Sequence, residues 1–207
     1  MTAVKDGFDE PVTRYPAATL YEAAGRSGAL PDRIRPLWTG ARVWGPAFSV
    51  RTAARDNLRI HRAIYEAAPG DVLVVSCAAE PACGYWGELM TRAAQERRLA
   101  GLVIDGGVRD VEAIVDLEFP VFRSRVSIRG TDKRLAGRGG LGERVVLEGE
   151  PIEPGDLIVG DADGVVVVAR DRVAAALEAA AARERAEEAV RERIAAGERL
   201  VDIITDP

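Results

Sequence analysis

The chain has very little histidine or cysteine: His61, Cys77 and Cys83 are all it contains in 207 residues. One imidazole and two thiols six positions apart do not supply a tetrahedral zinc site. With no basic-then-apolar leader between Met1 and Pro11, the two thiols read as reduced structural residues, although a disulfide between them is also open. Long apolar runs are missing as well, so no membrane span is expected and a cytoplasmic protein is. Positive charge is in deficit. The net charge is −5 and acidic and basic residues are interleaved, which leaves no electrostatic footprint for nucleic acid. The glycine-rich stretch Gly137 to Gly142 has no Gly-Lys-Ser/Thr ending, so it reads as a flexible connection and not a phosphate loop. Asp161-Ala162-Asp163-Gly164 lacks the downstream glutamate of a calcium loop and sits between β-branched runs, as a hairpin turn does. No repeat or low-complexity linker divides the chain, and its length suits one domain over residues 1–207.

What is present centres on Gly87 to Asp110. Leu89, Met90, Ala93 and Ala94 recur at helical spacing after Gly87-Glu88, with Gly101 expected to end that helix. Leu102-Val103-Ile104 is a short buried strand. Asp105-Gly106-Gly107-Val108-Arg109-Asp110 is then expected to leave the strand as a loop. Charged groups at the carboxyl end of a buried strand form a probable site in an α/β sheet. The amides of Gly87, Glu88, Leu89 and Met90, at a helix start, suit an anion. Arg109 has a planar fork for a carboxylate, and Asp110 is a hard oxygen ligand for Mg²⁺ or Mn²⁺. Each residue also has an ordinary reading. Asp110 would cap a helix beginning at Val111, Glu88 would pair with Arg92 on the surface, and Arg109 would be a solvated loop residue.

Elsewhere, Tyr15 to Gly28 reads as a helix carrying Glu22. Pro31 to Pro36 reads as a loop, and Ala41 to Thr52 as two short strands broken at Gly45-Pro46. Asp56 would cap a helix from Leu58 to Ala67 that carries His61, and Asn57 would either cap that helix or line the site. Strands follow at Val72 to Ser76, Val145 to Leu147, Leu157 to Val159 and Val165 to Val168. Cys77 to Tyr85 is a loop of small residues leading to Trp86, a packing residue. A long alanine-, glutamate- and arginine-rich helix runs from Asp171 to about Ala196. The mixture of strands and helices, without strict alternation at either end, predicts a layered α/β fold with a mixed sheet.

Glu88, twenty intervening residues and then Arg109-Asp110 resembles the acidic-x20-Arg-Asp signature of the 4-hydroxy-4-methyl-2-oxoglutarate aldolase and RraA-like family. Thr19 to Gly25, Asp56 to Ala63 with Pro69 to Val75, and Gly155 to Val168 resemble further motifs of that family in the same order, so the likeness covers nearly the whole chain. It implies a β/β/α sandwich of the swivelling type and a homotrimer, or a pair of trimers, with sites between subunits. It also implies a class II pyruvate aldolase acting on a small oxo-acid substrate with Mg²⁺ or Mn²⁺ on Asp110, and oxaloacetate decarboxylation as a second activity. Arg109 would grip the substrate and Glu88 would hold metal-bound water. His61 would be an active-site histidine, and Glu22 with Glu187 would come from a neighbouring chain, Glu184 and Glu188 being alternatives to Glu187. Glu88 stands where many relatives have aspartate, a departure that falls on the water shell around the metal. The same family implies a competing function, the non-catalytic regulation of a ribonuclease, and it also includes enzymes for other oxo acids.

Overall fold

The structure is a computed structural model that describes residues 15–77, 82–134 and 139–205. Expectations for Met1 to Pro11, for residues 78–81 of the Cys77 to Tyr85 loop, and for the first part of the Gly137 to Gly142 connection lie outside those residues; the described end of the Cys77 to Tyr85 loop is not loop, since β4 begins at Gly84. In chain order the elements are α1 (Ala17–Ala23), β1 (Arg35–Pro36), β2 (Val43–Arg51), α2 (Leu58–Glu66), β3 (Val72–Ser76), β4 (Gly84–Trp86), α3 (Glu88–Glu96), β5 (Gly101–Val108), α4 (Val111–Asp116), β6 (Val121–Val126), β7 (Gly140–Leu141), β8 (Val145–Leu147), β9 (Glu150–Ile152), β10 (Leu157–Gly160), β11 (Val165–Val168), α5 (Val173–Ala195) and α6 (Leu200–Thr205).

One mixed sheet runs in the order β1-β6-β5-β3-β2-β10-β11, with β4 beside β5 and β7 beside β2. β2, β3, β5 and β6 are mutually parallel, and β10 and β11 close the series as an antiparallel hairpin. The chain between α1 and β1 carries the sheet toward closure. Leu30 N–H donates to the Val165 carbonyl at 2.8 Å, and β1 then pairs with β6 at the opposite edge. The result is a nearly closed, barrel-like sheet with a long carboxyl-terminal helix, the layered mixed α/β architecture that the sequence predicts.

Alternation along the strands sorts the apolar residues into layers. Val72, Val74, Val103, Phe122, Ile158 and Val167 fill the inside, where the β8–β9 hairpin adds Val145, Leu147 and Ile152. Leu73, Val75, Leu102, Ile104 and Val121 face outward beneath α2, α3 and α4. Leu157, Val159, Val166 and Val168 pack against α1 and α5. Burying Leu73 or Ile104 completely contributes about 1.5–3 kcal/mol each.

Several local expectations are corrected. Gly45-Pro46 does not break β2. The β2–β3 ladder starts only at Ala47, and Ala47 makes the neighbouring bonds to β10, donating to the Asp156 carbonyl at 2.8 Å. Bonded residues alternate in an antiparallel ladder, so the nitrogen of Pro46 falls on the side where no strand needs a donor. Gly101 does not end α3. The turn after Glu96 uses Arg98 at φ 55°, and Gly101 opens β5, where a Cβ would lie 2.7 Å from Val43 and 2.9 Å from the Pro120 carbonyl. Asp105 to Val108 is strand and not loop, held by β4 and β6 on its two sides. The Pro31 to Pro36 loop contains β1. The short elements β9 and α6 have no signature in the sequence, because three and six residues are too few to show a period. No helix of the described residues is long and apolar enough to cross a membrane.

Candidate active site

β4 and β5 run parallel with Trp86 beside Val108, and Arg109 N–H donates to the Trp86 carbonyl at 2.9 Å. This pairing aligns two strand ends. One delivers Gly87 and Glu88 into α3, and the other delivers Arg109 and Asp110 into α4. Asp110 occupies the left-handed region, at φ 58° and ψ 41°. That conformation costs an L-residue about 1–2 kcal/mol, and aspartate tolerates it better than most. Although it stands at the position before α4, Asp110 makes no side-chain cap there. Its carboxylate turns back, and Oδ2 accepts the Glu88 N–H at 3.1 Å. The Arg109 Nε lies 3.7 Å from the same oxygen.

Gly87 makes this approach feasible. A Cβ there would sit 2.4 Å from Asp110 Oδ2 and 3.2 Å from Arg109 Cγ. Its backbone is extended, at φ −160°, so the lack of a side chain is what the position requires. The Arg109 and Asp110 side chains remain open to solute, with side-chain exposures of 48% and 46%. Beneath them is a buried chain of donors. Trp86 Nε1 donates to Thr91 Oγ1 at 2.7 Å, and Thr91 Oγ1 donates to the Gly87 carbonyl at 3.1 Å. Trp86 also stacks on Phe119, with ring centres 6.2 Å apart, so it is the packing residue the sequence suggests. The α3 start therefore stands on a rigid base.

The other expected residues fall in three places. The Glu88 carboxylate reaches Arg92 Nε at 2.8 Å, the ordinary surface pair, while its amide serves Asp110. Of the cradle expected from the amides of Gly87 to Met90, the Glu88 donor is already taken by the protein's own carboxylate. Leu89 points into solvent and Met90 is buried. His61 lies on α2, half-buried, and burial followed by the charge of Lys133 moves its pKa below the ordinary imidazole value. Among the described residues no hydrogen bond joins His61 to Asp110, Arg109 or Glu88. Asn57, one turn earlier, is the link. Its Nδ2 donates to the Tyr85 carbonyl at 2.9 Å and approaches Met90 Sδ at 3.6 Å, while its buried Oδ1 has no partner. Asn57 thus lines the base of the site and does not cap α2. Asp56 does that work by accepting the Leu58 N–H at 3.0 Å.

Glu22 and Glu187 lie at the far side of the sheet, where α1 packs on α5. Both meet Arg183, Glu187 at 2.8 Å and Glu22 at 3.9 Å. Glu184 is within 3.4 Å of the Thr19 hydroxyl, and Glu188 pairs with Arg191 at 2.6 Å. Three strands (β3, β2 and β10) separate β5 from β11, against which α1 packs. Within one chain these glutamates do not reach Asp110. Sequence reading missed Thr91 and Tyr85, whose roles depend on the tertiary position of the strand before α3.

Among the described residues no group of three or more His, Cys, Asp or Glu converges as a metal cage. Asp110 is instead a single half-exposed carboxylate, beside space that a Cβ at Gly87 would fill. That suits Mg²⁺ or Mn²⁺ that keeps most of its water, for which one protein carboxylate is sufficient.

The sequence model of the RraA-like family (Aldolase/RraA) matches residues 14–167. A Halalkalibacterium halodurans protein named "Putative 4-hydroxy-4-methyl-2-oxoglutarate aldolase" is 36% identical over 178 residues, covering 86% of this chain and 83% of its own. Among solved structures, an uncharacterized protein from Pseudomonas syringae superposes with a TM-score of 0.79 at 30% identity, covering 89% of this chain and 90% of its own. Streptomyces coelicolor RraAS2, described as an unusual member of the RNase ES inhibitor RraA protein family, superposes with a TM-score of 0.75 at 27% identity, covering 86% and 92%. On the extent of these matches, the chain belongs to the RraA-like (Aldolase/RraA) family.

Proposed function

We propose that the protein is a divalent-cation-dependent aldolase that cleaves a 4-hydroxy-2-oxo diacid, such as 4-hydroxy-4-methyl-2-oxoglutarate, to pyruvate. One observation carries the reading. Arg109, Asp110 and the α3 start converge on one solvent-open spot, with Asp110 Oδ2 3.1 Å from the Glu88 amide and 3.7 Å from Arg109 Nε. A bound Mg²⁺ or Mn²⁺ held by Asp110 would polarise the keto oxygen of the oxo acid. The guanidinium of Arg109 holds the adjacent substrate carboxylate through its planar fork. It also offsets negative charge as the bond between C3 and C4 breaks and its electron pair moves toward C2. The proton leaving the 4-hydroxyl needs a base. In a trimer or hexamer, Glu22 and Glu187 of a neighbouring subunit would hold the water that takes it, and Glu88 would order water beside Asp110. Oxaloacetate decarboxylation develops the same charge at the same oxygen and is expected as a second activity.

The decisive assay follows pyruvate release from 4-hydroxy-2-oxo acids and from oxaloacetate with added Mg²⁺ or Mn²⁺. Asp110→Ala should abolish both activities while leaving the fold intact, and turnover surviving in that variant would refute the assignment of the metal. The likeness to RraAS2 supports a second reading, a non-catalytic regulator that binds a ribonuclease. Capture of a ribonuclease by a protein that turns over none of these oxo acids would favour it.

A further inference from the structure

A cavity lies away from Asp110. It is about 760 Å³ and sits between the end of α1, the β9 strand and the connection from β11 to α5, a volume typical of small-molecule sites. Three guanidiniums border it: Arg144 from the turn before β8, and Arg170 and Arg172 from the approach to α5. Its carboxylates are unequally engaged. Asp156 is buried and spent, since its two oxygens accept the N–H groups of Arg170 at 3.0 Å and Glu153 at 2.8 Å. Glu153 faces Arg144 at 3.5 Å. Asp171 is exposed. Glu150 is half-buried and its side chain makes no ion pair or hydrogen bond among the described residues, and burial, followed by the charge of Asp156, raises its pKa. Arg170 and Arg172 likewise have no side-chain partner among the described residues.

The walls are fixed by backbone. Asp156 ties the β9 end to the β11 end. Gly28 packs so closely on β11 that a Cβ would lie 2.0 Å from the Val167 carbonyl. A preformed cavity with two exposed, uncommitted guanidiniums at one side and a half-buried carboxyl group at another fits a ligand with two kinds of polar group. We infer that it is a second ligand site, separate from the candidate active site, for a small hydroxylated organic anion. The acidic group is gripped by Arg170 and Arg172, and the hydroxyls meet Glu150.

Calorimetric titration with ribose 5-phosphate, malate and inorganic phosphate tests this, the first two separating a phosphate from a carboxylate as the acidic group. The expected result is saturable binding of ribose 5-phosphate or malate at one site per chain. Binding should be about tenfold weaker in Arg170→Ala and again in Arg172→Ala, as for loss of a charge-assisted bond. It should be unchanged in Arg185→Ala, a control on exposed α5, and in Arg109→Ala. If either alanine variant failed to fold, Arg170→Lys with Arg172→Lys would replace it, since lysine keeps the charge and loses the planar fork. Four results would overturn the inference: no binding of any probe, binding indifferent to both arginines, binding lost in Arg109→Ala, or inorganic phosphate binding as tightly as its ribose ester.

Discussion

Replacing Gly87 with alanine is the most direct test of how the site is built. The new Cβ would lie 2.4 Å from Asp110 Oδ2, about 1 Å inside ordinary carbon–oxygen contact. Gly87 is extended, at φ −160° and ψ −170°, so alanine meets no backbone strain and even loses some unfolded-state entropy, worth about 0.4–1 kcal/mol in its favour. The clash must therefore be relieved by the side chains, and the movable one is Asp110. Its carboxylate retreats and gives up the Glu88 N–H. Because Asp110 is nearly half exposed, water replaces that bond, and the stability cost should stay below about 1 kcal/mol. Under the proposed aldolase function, catalysis is far less forgiving. A misplacement of about 1 Å costs on the order of 10²-fold in rate, or about 2.7 kcal/mol of barrier. The expected outcome is a melting temperature close to wild type, with kcat/KM for pyruvate release down about a hundredfold and a weakened dependence on Mg²⁺. Pyruvate can be followed through NADH oxidation by lactate dehydrogenase, and metal binding by calorimetry. Asp110→Asn is the companion variant, since its carbonyl still accepts from Glu88 but the charge is gone. A Gly87→Ala protein with unchanged kcat/KM and metal affinity would show that Asp110's position against α3 is irrelevant to function.

Two further outcomes follow from the same geometry. Thr91→Val keeps the shape and removes the hydroxyl that accepts from Trp86 Nε1 and donates to the Gly87 carbonyl. Leaving the buried indole donor unsatisfied should cost about 1–3 kcal/mol in urea unfolding, and a cost near zero would mean the chain of donors does not brace the α3 start. His61 has a folded-state pKa below the ordinary value of 6.5 because burial and then Lys133 disfavour its charged form. The unfolded chain therefore binds the proton first as pH falls. The His61 contribution to stability is fully present above about pH 6.5 and is lost as pH falls through the folded-state pKa. Unfolding free energies measured across that window should show a slope that His61→Gln reduces, and an identical slope in the variant would mean that His61 is not desolvated.

Much of the fold could be read in the chain because its signals are short-range. Val72 to Ser76 matched its strand to the residue, and Asp161 to Gly164 is the hairpin turn between β10 and β11. The Asp171 to Ala196 helix was located to within two residues of Val173–Ala195 at either end. Failures came where a neighbour decided the outcome. Gly45-Pro46 reads as a break until the pairing of β2 with β3 is seen to begin only at Ala47. Gly101 reads as a helix end until its contacts with Val43 and Pro120 are known. Asp105 to Val108 reads as loop because glycines and an aspartate disfavour strand locally, and pairing on both sides overrides that preference.

The sequence by itself determined which groups the candidate site has. The spacing from Glu88 to Arg109 is one helix and one buried strand long, so both charged segments had to emerge at the same end of the sheet. Only the tertiary structure decided how they face each other. β4 lies beside β5, the left-handed turn at Asp110 sends its carboxylate toward α3 and away from α4, and the bare Cα of Gly87 leaves room for it to arrive. Helix and strand periods record which face a residue occupies. They do not record which strand end becomes its neighbour, because that is set by pairing between residues far apart in the chain.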